Sequence, residues 1–413
     1  MISIYTIFMS KSMQKLNKIY LDYAASVEAN PSSIHSTGVE AKIKLQNSRK
    51  VVANILGARP EEIIFTSGGT ESNNLAIQGV VLAWHRKGLP HIITTNIEHP
   101  SVLKTFKLLE QRKLAEISVI AVEPNGIVDP KKIKKEIKKN TILVSVMYAN
   151  NEIGTIQPIK EIAKEIRHYR KISKNLTLPI FHTDAVQAVN YLDLSVEKLG
   201  VDLLSLSGSK IEEAGRVGVL YKKNTIKLEK IFGGGDQEMG LRPGTENLPE
   251  IISFSKALKL TQDMKEKETK RLTKLRDYFI SEFRRIIFFS GSPASQRQPF
   301  KKDNPASFII NGDLQNRLPN NVNITFYKIP SDLLVIELSV KGIMASSKSA
   351  CESSNAEGSY VIKALRNEMG LSSEVGAGEG GMRFSMGRKT TKKDIDYTVK
   401  ALSQILTKLK KWY

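Results

Sequence analysis

The sequence predicts an α/β protein whose main sheet is mostly parallel, and three observations support this prediction. From about residue 57 the chain repeats one pattern, a short β-branched run followed by a polar or glycine-rich turn and then a helical pattern. This alternation is typical of βαβ crossovers, which cover both faces of a parallel sheet with helices. The length of 413 residues allows two or three domains. The content of 41% hydrophobic and 25% charged residues is that of a globular protein.

Seven short runs have the composition of buried strands. They are rich in β-branched and other apolar residues and are bounded by polar or glycine-containing turns. The runs are 63–66, 91–95, 117–122, 141–148, 178–183, 203–206 and 217–221. Helical patterns lie between most of them, including residues 72–86 and 159–169. Because ligands of such folds bind beyond the carboxyl ends of the strands, we expect the functional residues there.

The pattern changes after Asn247. A long charged helical run over residues 251–287 is interpreted as a linker helix that leads into a second domain. The polar stretch 290–304 is predicted to be an exposed loop. We expect three parts, namely an N-terminal segment associated with the small domain (1–29), a large domain (30–260) and a small C-terminal domain that carries the single cysteine (261–413).

The last segment, residues 392–413, has the pattern of an amphipathic helix. One face is apolar and the opposite face is rich in lysine, which favours a packing helix over a helix on a membrane surface. The apolar face consists of Ile395, Val399, Leu402, Leu406 and Leu409.

Charge and cysteine content limit the classes of function. The chain has 62 Lys and Arg against 42 Asp and Glu, a net charge of +20 spread over the whole sequence. This spread indicates a composition bias rather than a groove built for phosphates, so we do not expect direct binding of nucleic acid. The single cysteine, Cys351, excludes an intramolecular disulfide and a cysteine-rich zinc site, and it fits a reducing, cytoplasmic setting.

Other localisation signals are missing from the sequence. No apolar run approaches the roughly 20 residues of a membrane-spanning helix, and the N-terminus lacks the pattern of a signal peptide. Met13 is an alternative start to Met1. The six histidines form no metal-binding pattern, so we expect no metal site.

A Ser-Gly-Gly turn leads from the first predicted strand into a helix that Thr70 opens. The N-terminus of such a helix offers free backbone N–H groups and the positive end of the helix dipole, and it suits a phosphate. A turn of this kind also occurs for purely steric reasons, and neither the dinucleotide fingerprint nor the P-loop pattern is present.

Two further strand ends carry groups that a pyridine cofactor requires. Asp184 lies just past the strand 178–183, and Lys210 lies just past the next strand, beside Ser207 and Ser209. A desolvated lysine is a Schiff-base nucleophile. A carboxylate that faces a pyridine nitrogen keeps the ring an electron sink. Together with a phosphate site, these residues indicate pyridoxal phosphate.

The sequence also carries eleven ordered blocks between Tyr20 and about Leu406. They are YLDYAA (20–25), NPSSIHS (30–36), FTSGGTESNNLAI (65–77), EHPSV (98–102), NNEIGTIQPI (150–159), HTDAVQ (182–187), VDLLSLSGSK (201–210), GLRPGTEN (240–247), RLPNNVNITF (317–326), SSKSAC (346–351) and MRFSMGR (382–388). On these blocks the sequence resembles the cysteine desulfurases of the NifS/IscS type, which are related to class V aminotransferases. The resemblance implies the fold type I of pyridoxal-phosphate enzymes, with a mixed, mostly parallel seven-stranded sheet and a smaller α/β domain.

The resemblance implies a role for each matching residue at the cofactor ring. Lys210 would hold the cofactor as a Schiff base, and Asp184 would pair with the pyridine nitrogen. Gln187 would contact the ring hydroxyl, and His99 would stack on the ring.

The phosphate and substrate residues follow from the same resemblance. The phosphate site would be formed by Gly69, Thr70, Ser207 and Ser209, joined by Thr245 of a second subunit, so the resemblance implies a homodimer. The substrate would be held by Asn151, which also borders the cofactor, and by Arg383, whose guanidinium would bind the α-carboxylate with two hydrogen bonds.

The implied reaction converts L-cysteine to L-alanine. The Cys351 thiolate would take the substrate sulfur as a persulfide and pass it to an acceptor, either an iron–sulfur scaffold or a tRNA-thiolation enzyme. Three alternatives remain: a pyridoxal-phosphate lyase or aminotransferase for another amino acid, a weakened family member that acts as a sulfur-assembly partner, and, last, a nucleic-acid-binding module.

The sequence departs from the family pattern at several positions near the site. Ser209 stands where the family has histidine, and Glu212 and Glu213 bring two carboxylates into the turn after Lys210. The stretch after Ala25 is shorter than in the family, Lys348 replaces a glycine, and Asp236 is an extra residue in a glycine-rich segment.

Overall fold

The structure is a computed structural model that describes residues 19–27, 29–84, 88–289, 308–326, 329–347, 358–369 and 380–409. Its main sheet has seven strands. They are β1 (Ile63–Thr66), β2 (His91–Thr95), β3 (Glu116–Ile120), β4 (Thr141–Ser145), β5 (Ile180–Asp184), β6 (Leu203–Ser207) and β7 (Gly218–Lys222). All seven predicted strands are confirmed, with ends that differ by up to three residues.

The strand order is β1-β7-β6-β5-β4-β2-β3. The pairs from β6 to β3 are parallel, and β7 runs antiparallel to both β6 and β1. The predicted mixed, mostly parallel sheet is therefore confirmed. Because β5 and β6 are adjacent and parallel, their carboxyl ends bring Asp184 and Ser207 to the same edge of the sheet.

Helices cover both faces of this sheet. Those in the first two thirds of the chain are α1 (Ser36–Leu56), α2 (Gly69–Trp84), α3 (Pro100–Gln111), α4 (Pro130–Glu136), α5 (Ile159–Ile172) and α6 (Val196–Leu199). One apolar cluster lies on the side of α1 and α5, with Val52, Leu56 and Ile162 fully or almost fully buried. A second cluster lies on the side of α2 and α3 and contains Leu75 and Phe106.

The long helix α7 (Leu248–Phe289) connects two apolar clusters. Its first part packs into the cluster of the main sheet through Phe254 and Leu258. Its second part packs through Leu272 and Phe279 into a separate cluster. The boundary near residue 260 thus falls inside one continuous helix, and the division into domains stays a prediction.

The separate cluster is built on a small antiparallel sheet in the order β10-β9-β8, formed by β8 (Phe308–Ile310), β9 (Asn321–Phe326) and β10 (Met382–Ser385). The remaining helices are α8 (Ser331–Val340), α9 (Tyr360–Glu368) and α10 (Lys392–Leu409). All five residues predicted on the apolar face of α10 are buried, which confirms its amphipathic packing. Among the described helices, none is long and apolar enough to cross a membrane.

The predicted loop 290–304 lies outside the described residues.

Candidate active site

The turn between β1 and α2 packs closely against the end of β6. A Cβ atom on Gly69 would lie 2.8 Å from Val186 Cγ2 and 3.4 Å from Ser207 Cβ, so only glycine permits this approach without movement. Thr70 is exposed in the first turn of α2. Because the first N–H groups of a helix have no partner within it, this end of α2 offers backbone donors beside the hydroxyl groups of Thr70 and Ser207.

Ser207 and Ser209 lie on the other side of the same space. Their Oγ atoms are 2.9 Å apart and share a hydrogen bond, with Ser207 buried and Ser209 exposed. Ser209 therefore lies at the predicted phosphate site, at the position where the family has histidine. Glu212 and Glu213 are both exposed, and Glu212 Oε2 is 3.8 Å from Nη1 of Arg388, so these carboxylates reach the protein surface.

Asp184 is buried at the carboxyl end of β5. Its Oδ2 accepts a hydrogen bond from Asn73 Nδ2 at 2.7 Å, and its Oδ1 accepts one from the Val186 backbone N–H at 3.0 Å. Gln187 is half-buried in the turn that follows. Both oxygens of the carboxylate are thus held in place, which is what a partner for a ring nitrogen requires.

His99 begins helix α3 and caps it. Its Nδ1 accepts a hydrogen bond from the Ser101 backbone N–H at 3.1 Å and lies 2.8 Å from Ser101 Oγ. Burial lowers the pKa of His99, the charge of Asp184 acts in the opposite direction, and the charge of Lys210 lowers the pKa further. The charges of Asp184 and Lys210 thus both act on the His99 imidazole.

Glu98 is a residue of this site that the sequence analysis missed. It is fully buried, and its Oε1 accepts hydrogen bonds from Thr95 Oγ1 at 2.6 Å and from the Met147 backbone N–H at 2.9 Å. Burial raises the pKa of Glu98 to about 8, and the charge of Asp184 adds to this effect. The available signal was an acidic residue directly before His99, the histidine that is predicted to stack on the cofactor ring.

Lys210 lies in a short 3-10 turn (Gly208–Lys210) that follows β6. Its backbone carbonyl accepts a hydrogen bond from Asn190 Nδ2 at 2.6 Å. The residue is exposed and lines a cleft of about 170 Å³ together with residues of α7 and of the turn after β10. An amine placed at the end of β6 and open to a cleft is accessible to a cofactor aldehyde.

Arg383 and Asn151 meet at the predicted substrate site. Arg383 Nη1 donates to the Asn151 backbone carbonyl at 2.9 Å. Arg383 Nε and Asn151 Oδ1 are buried and lack hydrogen-bond partners within the described residues. Burial lowers the pKa of Arg383, and the charge of Glu152 opposes this shift. A half-buried guanidinium with an unused donor is suited to bind a carboxylate.

Other candidates lie apart from this group or outside the described residues. Thr245 is exposed, in a segment whose Arg242 Nε bonds Glu71 Oε1 at 3.0 Å. Cys351 is outside the described ranges. His182 is fully buried between Ser145 and Ser205, and burial lowers its pKa to about 3. His182 is therefore a neutral core residue beneath the site.

These donors fit pyridoxal phosphate. The end of α2 with Ser207 and Ser209 matches a phosphate, and the fixed Asp184 carboxylate matches a pyridine nitrogen. His99 offers an imidazole face, and Lys210 offers an amine. No group of three or more metal-binding side chains occurs in the parts of the chain that the structure describes. Fold and donors together define a pyridoxal-phosphate enzyme of fold type I.

Comparisons with known proteins agree with this class. Residues 6–299 match the family model for aminotransferase class-V. The chain is 40% identical to a cysteine desulfurase IscS of Dictyoglomus turgidum over 410 residues, covering 95% of each chain. It is also 40% identical to a cysteine desulfurase IscS of Methanosarcina thermophila, covering 94% of this chain and 88% of that protein. The solved structure of a NifS-like protein superposes with a TM-score of 0.78 at 31% identity, covering 92% of each chain.

The chain therefore belongs to the aminotransferase class-V family, among its pyridoxal-phosphate-dependent cysteine desulfurases. The alternative of a lyase or aminotransferase for another amino acid is not favoured by these relatives. The roles of the individual site residues remain predictions.

Proposed function

We propose that this chain converts L-cysteine to L-alanine and transfers the sulfur to Cys351. The observation that supports this most directly is the position of Arg383. Its backbone N–H and C=O pair with Ser346, five positions before the only cysteine in the chain, while its guanidinium bonds the Asn151 carbonyl. The residue that suits a substrate carboxylate is thus attached to the segment that leads to the sulfur nucleophile.

The cofactor site is assigned to five residues in this proposal. Bound pyridoxal phosphate supplies an electron sink for the substrate. Thr70, Ser207 and Ser209 would hold its phosphate, Asp184 would face its ring nitrogen, and the Lys210 amine would attach it. The Lys210 amine, which would hold the cofactor, would also be the base that removes the substrate Cα proton.

Arg383 and Asn151 orient the substrate. The guanidinium binds the α-carboxylate, which leaves the substrate thiol group as the reacting end. His99 would cover the ring with a neutral imidazole, because its Nδ1 accepts a hydrogen bond from the Ser101 backbone N–H.

The sulfur step is a displacement at the substrate sulfur. The Cys351 thiolate forms a new S–S bond as the substrate C–S bond breaks, and the electron pair of the broken bond stays with the carbon skeleton. Protonation of that carbon and return of the proton to Cα give L-alanine, and Cys351 is left as a persulfide. A sulfur-acceptor protein, an iron–sulfur scaffold or a tRNA-thiolation enzyme, then takes the outer sulfur and returns the thiol.

A homodimer in the cytoplasm is part of the proposal. Large apolar side chains are exposed near the N-terminus, including Leu21 and Ile34, and in the glycine-rich segment 232–245 at Phe232 and Met239. Exposed apolar groups of this kind suit contact with a second copy. In this proposal Thr245, which is exposed in the same region, contacts the phosphate in the site of the partner subunit.

The test is an assay of alanine released from L-cysteine, with pyridoxal phosphate and a thiol reductant present. Wild type is expected to release alanine, whereas Lys210→Ala and Cys351→Ala are expected to lose at least about 100-fold in rate, because each removes a covalent partner. Ser349→Ala is the matched control for the cysteine segment.

The near-visible absorbance of the bound cofactor distinguishes the loss of activity in Lys210→Ala from the loss in Cys351→Ala. Cys351→Ala should keep the absorbance of lysine-bound cofactor, and Lys210→Ala should not. Alanine release by Cys351→Ala at the wild-type rate would show that the chain is not a desulfurase of this type.

A further inference from the structure

One asparagine, Asn73, connects two parts of the site that come from different elements. It lies on α2, one turn after Gly69, and is almost fully buried. Its Nδ2 donates to Asp184 Oδ2 at 2.7 Å and to Ser101 Oγ at 2.9 Å, so both N–H bonds of the amide are used. Asp184 ends β5, and Ser101 lies in the first turn of α3.

The backbone N–H of Ser101 can only donate, and this fixes the direction of both hydrogen bonds between Ser101 and His99. The Ser101 backbone N–H donates to His99 Nδ1, which makes Nδ1 an acceptor. Ser101 Oγ, 2.8 Å from the same nitrogen, therefore donates its proton to His99 and accepts from Asn73. A neutral His99 with Nδ1 as acceptor carries its proton on Nε2.

The amide of Asn73 has only one acceptable orientation. If it were turned around, its Oδ1 would face the Asp184 carboxylate, and two acceptors would meet. In the observed orientation Oδ1 is buried and has no hydrogen-bond partner among the residues that the structure describes. The amide thus leaves its acceptor unsatisfied while both of its donors are engaged, which calls for a reason beyond packing.

We propose that Asn73 is a positioning residue of the cofactor site. Its single amide nitrogen holds the carboxylate of Asp184 and, through the hydroxyl of Ser101, the ring of His99. The partner of the pyridine nitrogen and the imidazole over the ring are thereby set by one side chain. This inference rests on the proposed function, because it takes Asp184 and His99 in those two roles.

The first test measures binding rather than turnover. Cofactor-free protein is titrated with pyridoxal phosphate and with its 1-deaza analogue, in which carbon replaces the ring nitrogen. Both compounds carry the same phosphate and aldehyde, so any change at the phosphate site or at Lys210 cancels in the ratio of their affinities. The ratio therefore reports only on the group that faces the ring nitrogen.

Wild type is expected to prefer pyridoxal phosphate, and Asn73→Ala and Asn73→Ser should each reduce this preference by about tenfold, the change expected when a hydrogen bond to a charged group is lost. Asn74→Ala is the matched control. Its side chain bonds the Thr70 carbonyl, Gln78 and Thr105, so the preference should stay at the wild-type value.

The second test reads the His99 ring by nitrogen NMR of protein labelled at its six histidines. Ser101→Ala removes one of the two donors to Nδ1 and should shift the His99 signals without changing the binding preference. Ser101→Thr keeps the hydroxyl and should restore the wild-type signals. Asn73→Ala should change both the preference and the His99 signals, because it holds both groups.

The outcomes separate the inference from the proposed function. If wild type shows no preference for pyridoxal phosphate over the analogue, the assignment of Asp184 to the ring nitrogen is wrong, and the inference falls with it. If wild type shows the preference and both Asn73 variants keep it, the site stands and the positioning role of Asn73 is overturned. A change in only one of the two readouts for Asn73→Ala also contradicts the inference.

Discussion

The carboxyl group of Glu98 is fully buried next to Asp184, and this position changes its chemistry. Burial raises the pKa of Glu98 from 4.5 to about 8. In the unfolded chain this group loses its proton near pH 4.5, but in the folded chain it keeps the proton up to about pH 8. The folded state therefore binds more protons in this window, and the free energy of unfolding falls as the pH rises from 4.5 to 8.

Glu98→Gln should remove this pH dependence, because an amide does not titrate. Its oxygen still accepts from Thr95 Oγ1 and the Met147 N–H. We expect the melting temperature of the variant, relative to wild type, to rise by a few degrees between pH 5 and pH 8.5. Any constant effect of the substitution cancels in this comparison. If the difference in melting temperature between the variant and wild type stays constant over this range, Glu98 is ionised in the folded protein.

The sequence predicts the residues at strand ends better than the residues that hold them. Asp184, Ser207 and Lys210 are predictable because each follows an apolar run and has chemistry of its own. Asn73 and Glu98 were not predicted as part of the site. Asn73 bonds a carboxylate 111 positions away, and the altered pKa of Glu98 comes from burial, and neither property can be read from local sequence.

At the scale of elements, the site depends on how closely α2 approaches the ends of β5 and β6. A Cβ on Gly69 would lie 2.8 Å from Val186 Cγ2, a distance that real Cβ atoms essentially never show. Val186 is β-branched and stiff at χ1, so it has little freedom to move aside. The end of the helix would have to shift away from Ser207.

Gly69→Ala is therefore expected to weaken pyridoxal phosphate binding by about tenfold, since the helix N-terminus and Ser207 would no longer converge on one phosphate. Adding Val186→Ala removes the obstructing methyl groups and should restore most of the affinity. Val186→Ala alone is the control. Equal affinities for wild type and Gly69→Ala, measured by absorbance titration, would contradict this account of the turn.

A buried ion pair ties α1 to the glycine-rich segment. Arg49 Nη2 lies 2.6 Å from Glu238 Oε1, and Glu238 Oε2 also accepts the Phe65 backbone N–H at 2.8 Å. The Glu238 carboxylate thus joins α1, β1 and the segment that leads to Thr245.

Removing one partner of this pair leaves a buried charge without its counterion. Glu238→Ala should lower the free energy of unfolding by about 3–5 kcal/mol, the usual cost of breaking a buried pair from one side. The exposed pair of Lys408 and Glu337 provides the control, and Glu337→Ala should cost less than about 1 kcal/mol. Similar denaturant midpoints for the two variants would mean that the Arg49 pair is not buried in solution.

The elements themselves were largely predictable, and their limits were not. Apolar runs of four to eight residues predicted all seven strands of the main sheet. The run 141–148 was taken as one strand, whereas β4 ends at Ser145. The Val146 and Tyr148 N–H groups still donate to β5 carbonyls, at His182 and Asp184. An apolar pattern reports burial, and it does not show where regular pairing stops.

At the scale of the whole molecule, α7 packs into two apolar clusters, one at the main sheet and one at the small sheet. The predicted site residues come from both sheets. Lys210 and Asp184 belong to strands of the main sheet or to the turns that follow them, whereas Arg383 is on β10 of the small sheet. Arg383 reaches the main-sheet side through its bond to the Asn151 carbonyl. Any substrate bound by both Arg383 and Lys210 must therefore bridge the two sheets.

In the proposed homodimer Thr245 contributes to the site of the partner subunit, and combining two impaired variants in one dimer tests this. In a heterodimer of Lys210→Ala and Thr245→Ala, a Thr245 that acts across the interface leaves one site with both substitutions and the other with none. The second site is then fully wild type. If Thr245 acts within its own chain, each site carries one substitution and neither is restored.

We therefore expect the purified heterodimer, isolated through two different affinity tags, to release alanine at about half the wild-type rate, since one of two symmetric sites is intact. Each parental homodimer should be far less active. Activity of the heterodimer no higher than the mean of its parents would place Thr245 in its own chain. The exposed side chain of Thr245 is available to a second subunit, while Arg242 of the same segment is fixed to Glu71 at the start of α2, and this exposure favours the first result.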